Sequence, residues 1–264
     1  MQRTPHEIVQ FPLHLDSHPV QAALGEAGQW QVNGLLSETR TGERRELSAG
    51  ISGTAELHTP SHGTLKLEYT LRTEPSRGSV FVLTQRGLAF DGGWRANQAL
   101  GAVNTLAIDL ARAQSRFVLP GFPLLGLTTE WIHAAPSGEA NLMLQASAGA
   151  PGRFDTARVL SFERQGGRIA SLGIQGRLPQ AWLGAAQALT WRDVPAFPGD
   201  TPQPGGGDAL YLAAAGKVGD ARVQMNLLSS SGTGDASPPR RATGVWTEVQ
   251  LRADRGEQEF GVFR

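Results

Sequence analysis

The chain has no cysteine among its 264 residues. That excludes a disulfide framework, a thiolate metal site and thiol redox chemistry. It also has no surplus of charge: 24 basic and 24 acidic side chains give a formal net charge of +0. Nucleic-acid binders and proteins of anionic membrane surfaces carry a basic surplus, so neither class fits. The balance is local as well as global. Residues 1–132 hold 11 basic and 12 acidic side chains, so there is no basic half or acidic tail. Lysine is nearly missing: only Lys66 and Lys217 occur, and arginine supplies the other basic residues. No run of about 18 apolar residues exists, so no helix is expected to span a membrane. The opening MQRTPHEIVQFPLHLD has neither an apolar signal-peptide core nor a small-residue cleavage site. The default expectation is a soluble cytoplasmic chain. An exported chain whose leader has been removed would look the same, because the lack of cysteine suits either compartment.

The motifs of common enzymes are missing too. There is no G-x-S-x-G elbow, S-x-x-K, H-E-x-x-H, P-loop or dinucleotide fingerprint. Gly205-Gly206-Gly207 is not followed by Lys-Ser/Thr and reads as a flexible turn.

What is present is alternation with period two. Leu65, Leu67 and Tyr69 alternate with Thr64, Lys66, Glu68 and Thr70, the pattern of a half-buried strand. Similar runs are 29–37, 79–84, 141–146, 157–163, 169–175, 209–215, 222–228, 244–252 and 259–263. Hairpin punctuation separates several of them: Gln165-Gly166-Gly167, Gly219-Asp220 and Asp254-Arg255-Gly256. The expectation is a single, mainly β domain over 1–264. Its architecture is an antiparallel barrel, sandwich or half-barrel of roughly a dozen strands, with one or two short helices. The helices are expected at 19–24 and at the Ala-rich 179–189. The tract 104–114 reads more as strand than helix, because Leu106, Ile108 and Leu110 alternate. The Pro/Gly-rich 195–208 and the Ser/Gly/Pro-rich 229–241 read as long loops.

Two features bear on function. His58 and His62 flank Thr59-Pro60-Ser61; a three-residue hairpin loop there would set them about 5 Å apart across two strands. They are the candidate metal ligands, in need of a third group, and without one they read as ordinary turn histidines. The second feature is the segment Phe117–Leu127, FVLPGFPLLGL, which has no charge and no hydrogen-bonding side chain. Pro120 and Pro123 exclude a helix through it and disfavour a central strand. Phe117, Leu119, Phe122, Leu124 and Leu125, with Trp131 just beyond, are therefore candidate contacts to a ligand or partner. The competing reading is a buried crossover of the core. Of the six tryptophans only Trp94 and Trp191 have a basic neighbour (Arg95, Arg192), and with no basic surplus all six are read as packing residues.

Three functions compete. The first is a non-enzymatic β protein holding an apolar or amphipathic small molecule. The second is a structural or assembly protein offering a β surface to partner chains, itself included. The third is a metal-assisted enzyme using His58 and His62. No other cofactor is implied.

Overall fold

The computed structural model describes residues 8–11, 27–41, 44–72, 79–112, 121–135, 140–155, 161–178, 181–194, 205–219, 221–234, 237–253 and 256–263. Fifteen strands form one antiparallel sheet. They are β1 (Ile8–Phe11), β2 (Ala27–Thr41), β3 (Arg44–Thr59), β4 (Gly63–Arg72), β5 (Val80–Phe90), β6 (Trp94–Asn104), β7 (Pro123–Ala134) and β8 (Ala140–Asp155). Then follow β9 (Ser161–Arg164), β10 (Arg168–Arg177), β11 (Leu183–Arg192), β12 (Gly206–Val218), β13 (Ala221–Gly234), β14 (Ser237–Ala253) and β15 (Gly256–Phe263). Every strand pairs with its sequence neighbours, except that β9 is a side branch on β8 and β10 pairs directly with β8. The path runs from β1 to β15 without closing on itself. The expected antiparallel, all-β architecture is therefore what forms.

Glycine makes several of the tight connections. Gly219 takes φ +61° between β12 and β13. Gly63 takes φ +71° after the β3 turn, and a Cβ there would lie 2.0 Å from the Arg86 carbonyl oxygen. Only glycine accepts both the left-handed backbone and that approach.

One helical turn, α1 (Asp109–Arg112), follows β6. It replaces the strand expected over 104–114, because the backbone here bonds to side chains rather than to a neighbouring strand. Ile108 N donates to Gln187 Oε1 at 3.2 Å and Leu110 N donates to Gln175 Oε1 at 3.0 Å. The Leu110 carbonyl accepts from Gln224 Nε2 at 3.0 Å, and Tyr211 OH lies 3.3 Å from it. Leu106 N donates to Ser147 Oγ at 2.9 Å. The segment thus lies against one face of β8 and β10–β13. Ile108, Leu110 and Ala111 join Ile169, Leu189, Ala209, Tyr211, Ala213 and Ala215 in the main core.

Three other expectations change. The Ala-rich 179–189 is not helical: Leu183–Arg192 is β11, paired along its whole length with β10 and β12. Alanine's helix propensity is worth less here than a ladder on both edges. The tract 229–241 is not a loop, since Ser229–Gly234 extends β13 and Ser237 opens β14. A register shift between Gly232 and Gly234 takes up the irregularity. Of 195–208, Gly206–Asp208 begins β12, whereas 195–204 and the helix expected at 19–24 lie outside the described residues.

Candidate functional site

The two faces of the sheet differ sharply in chemistry. Along β10, Ser171 and Gln175 are buried while Leu172 and Ile174 are exposed by 66% and 45%. The same inversion recurs on β8, β12 and β13. Gln145, Ser147, Tyr211, Gln224 and Asn226 are buried, and Leu144, Leu210, Leu212 and Met225 face outward. On the covered face these polar groups stand among the core residues Ile169, Leu189, Ala209, Ala213 and Ala215, and they are knitted by their own side chains. Gln145 Nε2 donates to Glu130 Oε1 at 2.7 Å, Asn97 Nδ2 to Glu130 Oε2 at 3.0 Å, and Tyr211 OH to Asn226 Oδ1 at 2.7 Å. Covering polar groups is costly unless they are paired, and the segment carrying α1 supplies further partners, although Gln145 Oε1 and Asn226 Nδ2 stay buried without one among the described residues.

The uncovered face is rich in apolar side chains but is interrupted by Gln85, Gln98 and Thr129 on β5–β7. One ladder row reads Leu67, Leu83, Leu100, Leu127, Ala148, Ala170, Thr190, Asp208 and Ser231. The next reads Leu65, Gln85, Gln98, Thr129, Ala146, Leu172, Ala188, Leu210 and Ser229. A hollow of about 400 Å³ opens on this face. Ala188 lies in register between Leu172 and Leu210, and the short side chain leaves room between the two leucines. Thr190, Asp208 and Ser229 give the hollow a polar border. Beyond that border Arg168 stands in register opposite Arg192, whose Nη2 lies 3.5 Å from Asp208 Oδ1. Aromatic rings lie on other strands, β5–β7, toward the opposite border of the sheet. Phe90 stacks on Trp131 at 4.9 Å, and Trp94 meets His133 at 5.0 Å.

The sequence candidates divide. Phe117 and Leu119 lie outside the described residues. Phe122 packs against the main core, and its amide donates to Thr105 Oγ1 at 2.9 Å. Leu124 is fully buried on the covered face. Leu125 is exposed on the apolar face, and Trp131 is half-buried there beneath Phe90. Pro123 does open a central strand, contrary to expectation. It is the first residue of β7, where the missing N–H costs least. The stretch 123–127 is therefore not one irregular unit but an alternating strand that serves both faces.

The hairpin between β3 and β4 also differs from expectation. Thr59 pairs with Gly63 and His58 with Thr64, so the loop is Pro60-Ser61-His62, and His58 and His62 are not cross-strand partners. The Thr59 hydroxyl sets this register by donating to the Gly63 carbonyl and accepting from His62 N at 2.9 Å. His58 Nδ1 lies 3.0 Å from Thr64 Oγ1 and its Nε2 lies 3.1 Å from Glu56 Oε1. His62 Nδ1 lies 2.7 Å from Ser61 Oγ. Among the described residues no three His, Asp or Glu side chains gather closely enough to hold a metal ion.

The residues that sequence reasoning missed are Leu172, Ala188 and Leu210. The alternation of Leu172 and Leu210 was visible, but it placed them on an apolar face that would ordinarily be the interior, and Ala188 fell in the tract expected to be helical. No family model matches the chain, and neither a curated protein nor a solved structure matches it.

Proposed function

We propose that this chain is a non-enzymatic binding protein whose open sheet holds the apolar part of an amphipathic molecule against its uncovered face. The observation that supports this best is the inversion of burial: leucines stand outside while glutamines are covered. Leaving a side chain such as Leu172 or Leu210 in water forgoes about 1.5–3 kcal/mol relative to burying it. A face carrying so many exposed leucines suits an apolar occupant. The hollow beside Ala188 is the favoured seat for a hydrocarbon chain. Thr190, Asp208, Ser229 and the Arg168–Arg192 pair would meet the polar end.

A titration with a fluorescent fatty acid tests the proposal. Saturable binding is expected, and Ala188→Trp, which fills the hollow while keeping the face apolar, should weaken it roughly tenfold. Binding that is absent, or indifferent to this substitution, would remove the hollow as a site. An assembly role is the second reading, favoured by β1 and β15, which are the edges of the sheet among the described residues and can accept a further strand.

A further inference from the structure

We infer that the occupant of the apolar face is a lipid bilayer, which the strands of this sheet cross. The inference rests on the reading of that face as a seat for acyl chains, and it is carried by the outline of the apolar band.

The band does not follow the ladder rows. Take as reference the row that joins Leu67 on β4 to Leu127 on β7 and Asp208 on β12. On β4 the exposed apolar residues reach two rows beyond it, to Leu71. On β7 they reach one row beyond, to Leu125. On β12 they stop one row short, at Leu210, and continue the other way to Val218 at the strand's end. The lower border thus climbs three rows over seven strand spacings. At about 6.7 Å per row and 4.8 Å per spacing, that is a tilt of about 30° between strands and band. Membrane-crossing strands tilt by about 35–45°, close to this value.

The height agrees as well. Leu65–Leu71 and Leu210–Val218 extend about 20 and 27 Å along their strands, or about 18–24 Å once tilted. The hydrocarbon-facing band of a strand-built membrane protein is about 25 Å tall. The two borders carry the side chains that belong at an interface. Phe90, Trp94 and Trp131 mark one, and Arg168, Arg192 and Asp208 mark the other. The opposite face carries buried polar groups (Gln145, Ser147, Ser171, Gln175, Gln187) among the apolar core residues, with the α1 segment lodged against it. No helix of the described residues is long and apolar enough to cross a membrane, a statement that leaves crossing by strands open. In lipid the edges β1 and β15 must be paired, with each other or with a further strand. A bilayer-crossing sheet departs from the soluble chain expected from composition.

The test offers the full chain to phosphatidylcholine vesicles and follows co-sedimentation after an alkaline wash, together with protection from trypsin. The unaltered chain should stay with the vesicles with its sheet protected. Ile174→Arg, at mid-band, should lower the membrane-folded fraction roughly 30-fold, whereas Val218→Arg, at the border, should lower it less than about fivefold. In water these positions are similarly exposed, by 45% and 60%, so only a bilayer predicts that contrast. A chain that stays in the supernatant but takes up oleate one to one overturns the bilayer and leaves the small-molecule reading standing. A chain that takes up neither overturns both. A chain whose mass rises with concentration in buffer, leaving vesicles unbound, makes a second copy the occupant and overturns the bilayer. Equal effects of the two arginines overturn it as well.

Discussion

Replacing Gln187 by methionine removes the amide while nearly preserving volume and chain length. The side chain is 4% exposed and makes two bonds to the α1 segment: its Oε1 accepts from Ile108 N at 3.2 Å, and its Nε2 donates to Leu106 O at 2.8 Å. Ile108 is fully buried, so its amide has no access to water once the glutamine is gone. A buried group left without a partner costs about 1–3 kcal/mol. The half-buried Leu106 carbonyl should recover part of its loss from solvent. The sum is about 2–4 kcal/mol, a large share of the total stability of an ordinary domain. Chemical denaturation in the medium in which the chain folds, followed by circular dichroism, should show the midpoint falling with unchanged slope. Amide exchange localises the effect: Ile108 and Leu110 should lose protection well before the amides of β10 and β12. A loss below about 0.5 kcal/mol with unchanged protection at Ile108 would refute the claim that side-chain amides hold this segment on the sheet.

Two further predictions concern the same construction. Tyr211→Phe removes a buried hydroxyl that donates to Asn226 Oδ1 at 2.7 Å and lies 3.3 Å from Leu110 O. It should cost about 1–2 kcal/mol in the same unfolding measurement, and a neutral result would show that the hydroxyl is dispensable. Gly216→Ala would place a methyl 2.4–2.8 Å from the ring atoms of Trp182. The ring must swing off β12, so indole emission should shift to longer wavelength. An unchanged spectrum would mean that the ring does not cover Gly216.

Much of the architecture was legible in the residue pattern. Alternation at 65–69, 169–175, 209–215 and 222–228 marks real strands, and Gly219 marks a real hairpin turn, whereas Gly166-Gly167 is a bend and no hairpin, since β9 pairs with β8 and not with β10. These signals are local: a pleated strand sends successive side chains to opposite faces, and a tight turn needs positive φ. Alternation likewise told which residues share a face, so Leu172 and Ile174 could be grouped and Ser171 and Gln175 set against them.

What alternation cannot report is which face will be covered. That depends on a segment far away in sequence. Residues 104–112 carry an alternating apolar pattern of their own, yet they fold as a short turn because Gln175, Gln187 and Gln224 hold the backbone from three separate strands. The ladders on both sides of Leu183–Arg192 overrode a helix-forming composition for the same reason: their partners, β10 and β12, are fixed elsewhere in the chain. At the hairpin, one hydroxyl on Thr59 moved the loop by a residue and parted His58 from His62. The sequence by itself determined that this is an antiparallel β protein with a polar and an apolar side to its strands. Only the tertiary structure decided that the side carrying the glutamines of β8, β10 and β11 is the one enclosed, because covering a face is a long-range event and alternation is a short-range one.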